Sequence, residues 1–222
     1  METELKLNAS RLADPLDVIR DPWVRNLIMP ESGRSFAMDS HYFDTAGRTL
    51  GSCGYSLRLR TENDQRVVTV KAGNAAGGGL HQRLEWSAEL DEDETDRLSA
   101  AGLDVDWFLR AAVSDGDPDD QLFAVLQLID GMPLLEICQV TFTRMVHDIG
   151  YGDTLMEFAL DIGSLYAGGR TAPICEFELE LREGDARDLM ELGQELTVRY
   201  DLEPENRSKL ARCLDLSGQE MT

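Results

Sequence analysis

Charged and apolar residues alternate with a period of two from the start of the chain. In ETELKL, Glu2, Glu4 and Lys6 fall on one side and Thr3, Leu5 and Leu7 on the other. The pattern recurs. SLRLR sets Arg58 and Arg60 opposite Leu57 and Leu59, VVTVK sets Lys71 and Thr69 opposite Val68 and Val70, and RLEW sets Arg83 and Glu85 opposite Leu84 and Trp86. MEFALD sets Glu157 and Asp161 opposite Phe158 and Leu160, and CEFELEL sets Glu176, Glu178 and Glu180 opposite Phe177, Leu179 and Leu181. Each stretch reads as a strand with one apolar and one ionisable face. The segment from Ser40 to Leu90 reads as an antiparallel meander, and strands resume with LEICQVTFTRMVHDI, TLMEFALDIG and ICEFELELREG. Between them, DEDETDRLSAAGLDVDWFLRAAV and PDDQLFAVLQLI carry acidic starts and helically spaced apolar residues, which predicts two helices; ARDLMELGQELTVRY predicts a later amphipathic one.

An open sheet with all its ionisable faces in water would set rows of like charge side by side, which is unfavourable. Closing the sheet changes this. The apolar faces then point outward and are covered by the helices, while the ionisable faces converge on a charged tunnel. Such a tunnel needs internal compensation or a charged ligand. Lys6, Arg58, Arg60, Lys71 and Arg83 suit phosphate oxygens, and carboxylates can reach phosphate through hard divalent cations. The alternative is a network of ion pairs that compensate one another.

Composition narrows the partners. A chain of 222 residues with a formal charge of −21 and a pI near 4.4 does not suit a general nucleic-acid binder, so a polyanion must meet a local concentration of positive charge. Cys53, Cys138, Cys175 and Cys213 are scattered without metal-ligand spacing, and a reducing compartment is expected for them. The sequence shows no leader pattern and no run of about 18 apolar residues, so a cytoplasmic protein is expected, without membrane contact.

The same residues carry a family resemblance. ETELK resembles the Glu-x-Glu-x-Lys signature of the CYTH superfamily, the triphosphate tunnel metalloenzymes. YFDT, LRLR, TVK, GGGLHQRLEW, ALDIG, ICEFELEL and RSKLARC are similar, in that order, to blocks of its bacterial inorganic triphosphatase branch. The resemblance implies an α+β fold: an eight-stranded antiparallel β-barrel tunnel with helices packed outside. It further implies one domain over residues 1–222, with a helical insertion at about 91–130 and a C-terminal helical segment from about 185, lacking the further histidine-rich helical domain of related triphosphatases. The implied activity is hydrolysis of a small-molecule triphosphate with Mg2+ or Mn2+.

By matching position, Glu2, Glu4, Lys6 and Glu178 take catalytic roles. Lys6, Arg58, Arg60, Lys71, Arg83, Arg144 and Lys209 grip phosphate, and Glu2, Glu4, Glu85, Asp161, Glu176 and Glu178 hold metal. Lys209 is expected on a helix that closes the tunnel. Glu157 and Glu180 share the inward parity and are held in reserve. Arg144 is the awkward member, because alternation puts it on the side of Val140, Phe142 and Val146; a bulge before it would turn it inward.

Other motifs lead nowhere. AGNAAGGGLH lacks the lysine and hydroxyl residue of a phosphate loop and reads as a hairpin connection, and SDGDPDD lacks the glycine and terminal glutamate placement of a calcium loop and reads as a solvated linker. His41, His81 and His147 have no paired ligand spacing, and no serine or cysteine sits in a nucleophile motif. Three functions follow: an inorganic triphosphatase; an organic triphosphate enzyme of the same superfamily (a thiamine or nucleoside triphosphatase or an adenylyl cyclase); and a non-catalytic polyphosphate-binding module.

Overall fold

Eight strands close on themselves: β1 (Glu2–Asn8), β2 (Arg34–Asp44), β3 (Tyr55–Glu62), β4 (Gln65–Ala72), β5 (Leu80–Leu90), β6 (Leu135–Tyr151), β7 (Thr154–Ala167) and β8 (Arg170–Glu183). Neighbours run antiparallel in the order β5-β4-β3-β2-β6-β7-β8-β1, and pairing of β1 with β5, Glu2 opposite Arg83, completes the barrel. A two-residue strand, β9 (Glu203–Pro204), pairs with the end of β1. This computed structural model describes residues 2–72, 77–112 and 120–218. Parts of the AGNAAGGGLH and SDGDPDD stretches therefore lie outside the described residues. Three hairpins use two-residue turns, Asn63–Asp64, Gly152–Asp153 and Gly168–Gly169. The leading residue of each has positive φ (54°, 58° and 58°), the backbone that matches strand twist in such turns.

Among the described residues the helices are α1 (Leu16–Arg20), α2 (Pro22–Arg25), α3 (Thr49–Ser52), α4 (Glu92–Ala101), α5 (Val105–Ala112), α6 (Asp120–Ile129), α7 (Ala186–Tyr200) and α8 (Lys209–Ser217). Among the described residues none is long and apolar enough to cross a membrane. Helix α7 lays Leu189, Leu192 and Leu196 on Leu5, Leu7, Phe177 and Leu179, the outward side chains of β1 and β8. Burying each such leucine contributes about 1.5–3 kcal/mol. On the opposite flank, α4 to α6 cover Leu57, Leu59, Val68 and Val70 with Leu98, Phe108, Leu122, Leu126 and Ile129. The apolar strand faces thus point out, as alternation requires.

Among the described residues three helices stand between β5 and β6 where two were expected. The break is at Gly102, whose φ of 88° ends α4 and whose missing Cβ leaves room for the Met132 carbonyl. The start of α4 follows its acidic signal, since Asp91 accepts from the Glu94 N–H at 2.8 Å and the Glu94 carboxylate accepts from the Asp91 N–H at 2.9 Å.

A third apolar cluster lies inside the barrel. Here α8 plugs one end, joining Leu210, Cys213 and Leu216 to Met38, Tyr42, Val140, Phe142, Leu165 and Ile174. Cys213 is bonded to Cys138 on β6, a pairing hidden by 75 positions of separation. This cluster corrects the expectation for Arg144. The register of β2 and β6 shifts between Tyr42 and Phe43, opposite Glu136 and Cys138, and runs unbroken from Cys138 through Arg144. Arg144 points inward without a bulge beside it, because Val140, Phe142 and Val146 point inward too. Gly163, opposite Phe142, makes this possible: a Cβ there would lie 2.0 Å from the Thr141 carbonyl and 2.5 Å from Phe142 Cα. Gly163→Ala is expected to destabilise the fold by about 1–3 kcal/mol through overpacking. A thermal unfolding midpoint equal to that of the unsubstituted chain would contradict this packing.

Candidate active site

The barrel encloses a cavity of about 570 Å³, open at the end opposite α8. Strands β3, β4 and β5 build its basic wall. Arg58 is 9% exposed, yet its nearest polar neighbours are Thr69 Oγ1 at 3.5 Å and Glu85 at 3.9 Å, and its buried Nε has no partner. Arg60 donates to Ser40 Oγ at 3.1 Å and sits 3.3 Å from Glu62. Burial, with Arg58 and Arg144 close by, brings the Arg60 guanidinium down to about 10. Tyr42, opposite Arg58, belongs to the same wall. Burial alone would raise its phenol, but Arg58, Arg60, Lys209 and Lys71 outweigh it and the group is lowered. Lys71 bridges Glu2 (2.8 Å) and Glu85 (2.6 Å); despite burial, Lys71 and Arg58 hold Glu85 down at about 2. Arg83 donates to His81 Nδ1 at 2.6 Å, so His81 must carry its proton on Nε2, which donates to the Glu205 carbonyl at 3.0 Å. His81, given no role from sequence, supports Arg83.

The plugged end is a compensated ionic cluster. Asp161, Glu176 and Glu178 are buried, with ligand atoms within 4.8 Å of one another, compact enough for one metal ion. Lys209, delivered by the first turn of α8, places Nζ at 2.7 Å from Asp161, 2.5 Å from Glu176 and 2.9 Å from Glu178. Arg144 forks onto Asp161 at 2.8 and 2.7 Å and also bonds Glu178, Lys6 reaches Glu178 at 2.5 Å and Glu4 at 3.1 Å, and Arg212 bonds Glu176. Burial opposes ionisation of Glu178, but Lys209, Lys6 and Arg144 hold it well below the usual carboxylate range; the carboxylates in turn outweigh burial and raise Lys209 and Arg144. Phe142 underlies the group, its ring centroid 4.9 Å from Lys209 Nζ and 5.6 and 5.9 Å from the guanidinium carbons of Arg144 and Arg60.

Toward the open rim the balance reverses. Glu2, Glu4, Glu157 and Glu180 face the cavity, with Glu4 and Glu157 each opposite Glu180 in the sheet. Burial pushes Glu180 up to about 7; Arg182 offsets part of this, while Glu2, Glu157 and Glu4 add to it. Glu2 is raised as well, chiefly by burial. The basic wall therefore has surplus positive charge and the rim surplus negative charge.

Every charged position singled out from sequence faces this interior, including Glu157 and Glu180. Asp161 and Glu176 lie behind Lys209 and Arg212 rather than on the cavity wall. Alternation could have found Arg182, which continues the series Glu176, Glu178, Glu180, and helical spacing could have found Arg212, three residues after Lys209. Arg34 opens β2 and carries no such signal.

Comparison with known proteins agrees with this geometry. The chain is 27% identical over 179 residues to an inorganic triphosphatase of Haemophilus influenzae, a match covering 81% of the chain and 46% of that protein, so the chain spans about half the relative's length. In structure it resembles an adenylyl cyclase candidate from Hippeastrum described as having a dominant triphosphatase activity (TM-score 0.63, 19% identity, 99% of this chain and 97% of that one). It also resembles an adenylate cyclase candidate from Bacillus halodurans (TM-score 0.56, 18% identity, 96% of each chain). The family model for the CYTH domain matches residues 1–214, and the chain belongs to that family.

Proposed function

We propose that the tunnel hydrolyses inorganic triphosphate to pyrophosphate and phosphate with the help of Mg2+ or Mn2+. The observation that carries this reading is Arg58: a buried guanidinium lining a cavity of about 570 Å³, with an unpartnered Nε and with Arg60 and Lys71 on the same wall. A buried cation without a close counter-ion is costly, and a chain of phosphoryl groups supplies the missing oxygens. Arg58, Arg60, Lys71 and Arg83 grip from one wall, and Lys6, Arg144 and Lys209 from the other. Asp161 and Glu176 hold Lys209, Arg144 and Arg212 in place, and Glu85 holds Lys71.

The metal is assigned to carboxylates that line the cavity. Glu2, Glu4, Glu178 and Glu180 all line the cavity, and Glu180 is pushed up to about 7 chiefly by burial, with Glu2, Glu157 and Glu4 adding to it; a divalent cation held among these carboxylates would relieve both effects. When bound, such a cation neutralises phosphate oxygens and acidifies a water molecule. The protein's own part is positioning: Lys6, between Glu4 and Glu178, fixes both carboxylates and offers its remaining donor to substrate. The chain is proposed to act as a single CYTH module.

A second reading has one observation in its favour. Phe36, Met38 and Val146 form an apolar strip on the cavity wall that could seat the organic group of a nucleoside or thiamine triphosphate. Phosphate release from triphosphate, ATP and thiamine triphosphate, with Mg2+ and Mn2+ compared, separates the readings. Triphosphate is expected to show the highest kcat/KM; a higher value for ATP would favour the organic reading, and no release from any substrate would leave a binding module. Arg58→Ala is expected to lower turnover of every phosphate substrate by about tenfold to a hundredfold, the equivalent of roughly 1.5–3 kcal/mol. A penalty confined to nucleotides would contradict the assignment. Glu4→Gln is expected to remove most metal-dependent turnover while circular dichroism stays unchanged, and undiminished activity would contradict its metal role.

The burial and crowding of Glu180 have their own test in the metal-free protein. A raised carboxyl stays protonated until the pH approaches its folded value, so Glu180 is expected to titrate near 7 by carboxyl 13C NMR. Because Arg182 lowers that value, Arg182→Ala should move it higher. A midpoint near the ordinary 4.5 would contradict the burial and crowding of this carboxyl.

A further inference from the structure

Arg83 stands apart from the other cations of the basic wall. Glu85 lies 3.9 Å from Arg58 and 2.6 Å from Lys71, and Glu62 lies 3.3 Å from Arg60. Arg83 sits directly opposite Glu2 in the sheet, and both line the cavity. Side chains paired in this way leave the backbone about 4.5–5.5 Å apart, well within reach of an ion pair. Yet among the described residues Arg83 makes none. Its Nη2 donates instead to an uncharged ring nitrogen, His81 Nδ1, at 2.6 Å, and its buried Nε has no partner.

His81 is built to be that acceptor. It lies two residues before Arg83 on β5, in the same inward row but off the cavity wall, and it is fully buried. A neutral imidazole accepts at Nδ1 only when its proton is on Nε2. Here Nε2 faces the Glu205 carbonyl at 3.0 Å, a group that can only accept. That carbonyl is itself held in place. The Glu205 N–H donates to the Lys6 carbonyl at 2.9 Å, β9 just before it pairs with β1, and the Glu205 carboxylate accepts from the Arg207 N–H at 3.0 Å. Burial, together with Lys6 and Arg83, outweighs the Glu205 carbonyl and Glu4 and lowers the imidazole, so the ring stays neutral.

The nature of this acceptor decides what Arg83 can do. A carboxylate in the place of Nδ1 would neutralise the guanidinium, whereas a neutral nitrogen orients it and leaves its charge and its Nε for another anion. Without Nδ1, Arg83 would be drawn to Glu2 and Glu4, the carboxylates facing β5 from β1, and a phosphate donor and a cation ligand would be lost together. Resting on the reading under which the tunnel holds phosphate, we propose that His81 is a positioning residue. Its Nδ1 holds Arg83 off the β1 carboxylates and presents the guanidinium to a phosphoryl group, and the Glu205 carbonyl fixes the tautomer this requires.

Two amide side chains separate the two sides of the ring. Asparagine puts a carbonyl oxygen where Nδ1 stands, so His81→Asn keeps the acceptor for Arg83. Glutamine puts an amide nitrogen near Nε2, so His81→Gln keeps only the bond to Glu205. Triphosphate binding to the metal-free protein is measured by calorimetry for the unsubstituted chain, these two variants, Arg83→Ala and His81→Gln/Arg83→Ala. His81→Gln is expected to weaken binding about tenfold and His81→Asn by less than about threefold. In the Arg83→Ala background His81→Gln should cost nothing further, because His81 acts through Arg83. Equal losses in the Asn and Gln variants, no loss in the Gln variant, or a Gln loss that persists without Arg83 would each overturn the proposal. Long-range 1H–15N spectra of the unsubstituted chain read the tautomer with no substitution at all: His81 should show a protonated Nε2 and a bare Nδ1, and a proton on Nδ1 would also overturn it. Failure of the unsubstituted chain to bind triphosphate would instead overturn the phosphate-tunnel reading, while the spectrum still judges the bond between His81 and Arg83.

Discussion

Everything in this protein depends on counter-charge inside a closed sheet. Alternation along eight strands delivers both signs to one interior, and closure leaves no way to turn them back to water. At the plugged end the fold answers this internally, with Lys6, Arg144, Lys209 and Arg212 set among Asp161, Glu176 and Glu178. Elsewhere it does not. Arg58 leaves its Nε unpartnered on one wall, and at the rim Glu180 is raised by burial and by Glu2, Glu157 and Glu4. Two opposite surpluses across a cavity suit a ligand that carries both signs, as a phosphate chain with a divalent cation does.

The compensated end serves the uncompensated one. Lys209 enters from α8, whose start is fixed by Ser208 accepting from the Ala211 N–H at 3.0 Å and whose body is held by Phe142, Leu165 and Ile174 and by the Cys138–Cys213 bond. The segment before it is tied down as well, since β9 pairs with β1 and the Glu205 carbonyl accepts from His81. Cations locked in this way need little reorganisation when charge develops on a substrate, which is how preorganised sites lower barriers.

The barrel and its inward charges were legible because a period of two is a direct record of which face each residue takes. Glu2, Glu4, Lys6, Arg58, Arg60, Lys71 and Glu178 follow from it without any knowledge of the fold. Three features were not legible. The inner face of β6 reads as a core face, since Val140, Phe142 and Val146 pack against α8 and β2 inside the barrel, and parity cannot say which apolar face is the inner one. Similarly, Asp161 and Glu176 form with Glu178 a buried trio compact enough for a metal ion, and the pattern does not show that α8 also brings Lys209 onto them, a contact spanning 48 and 33 positions. Finally, Arg34 has no patterned neighbours; only the shared rim of β2 and β8 brings it near Arg182.

The central claim is that positive and negative surpluses await one composite ligand, so triphosphate and metal should each strengthen the other's binding. Calorimetric titration of triphosphate into Arg58→Ala and the unsubstituted chain, at several fixed Mn2+ concentrations below those that allow appreciable turnover, measures this coupling directly. The account expects triphosphate affinity in the unsubstituted chain to rise with Mn2+, with an equal rise in Mn2+ affinity when triphosphate is present, as linkage requires. Triphosphate affinity independent of Mn2+, with Mn2+ binding likewise indifferent to triphosphate, would contradict it.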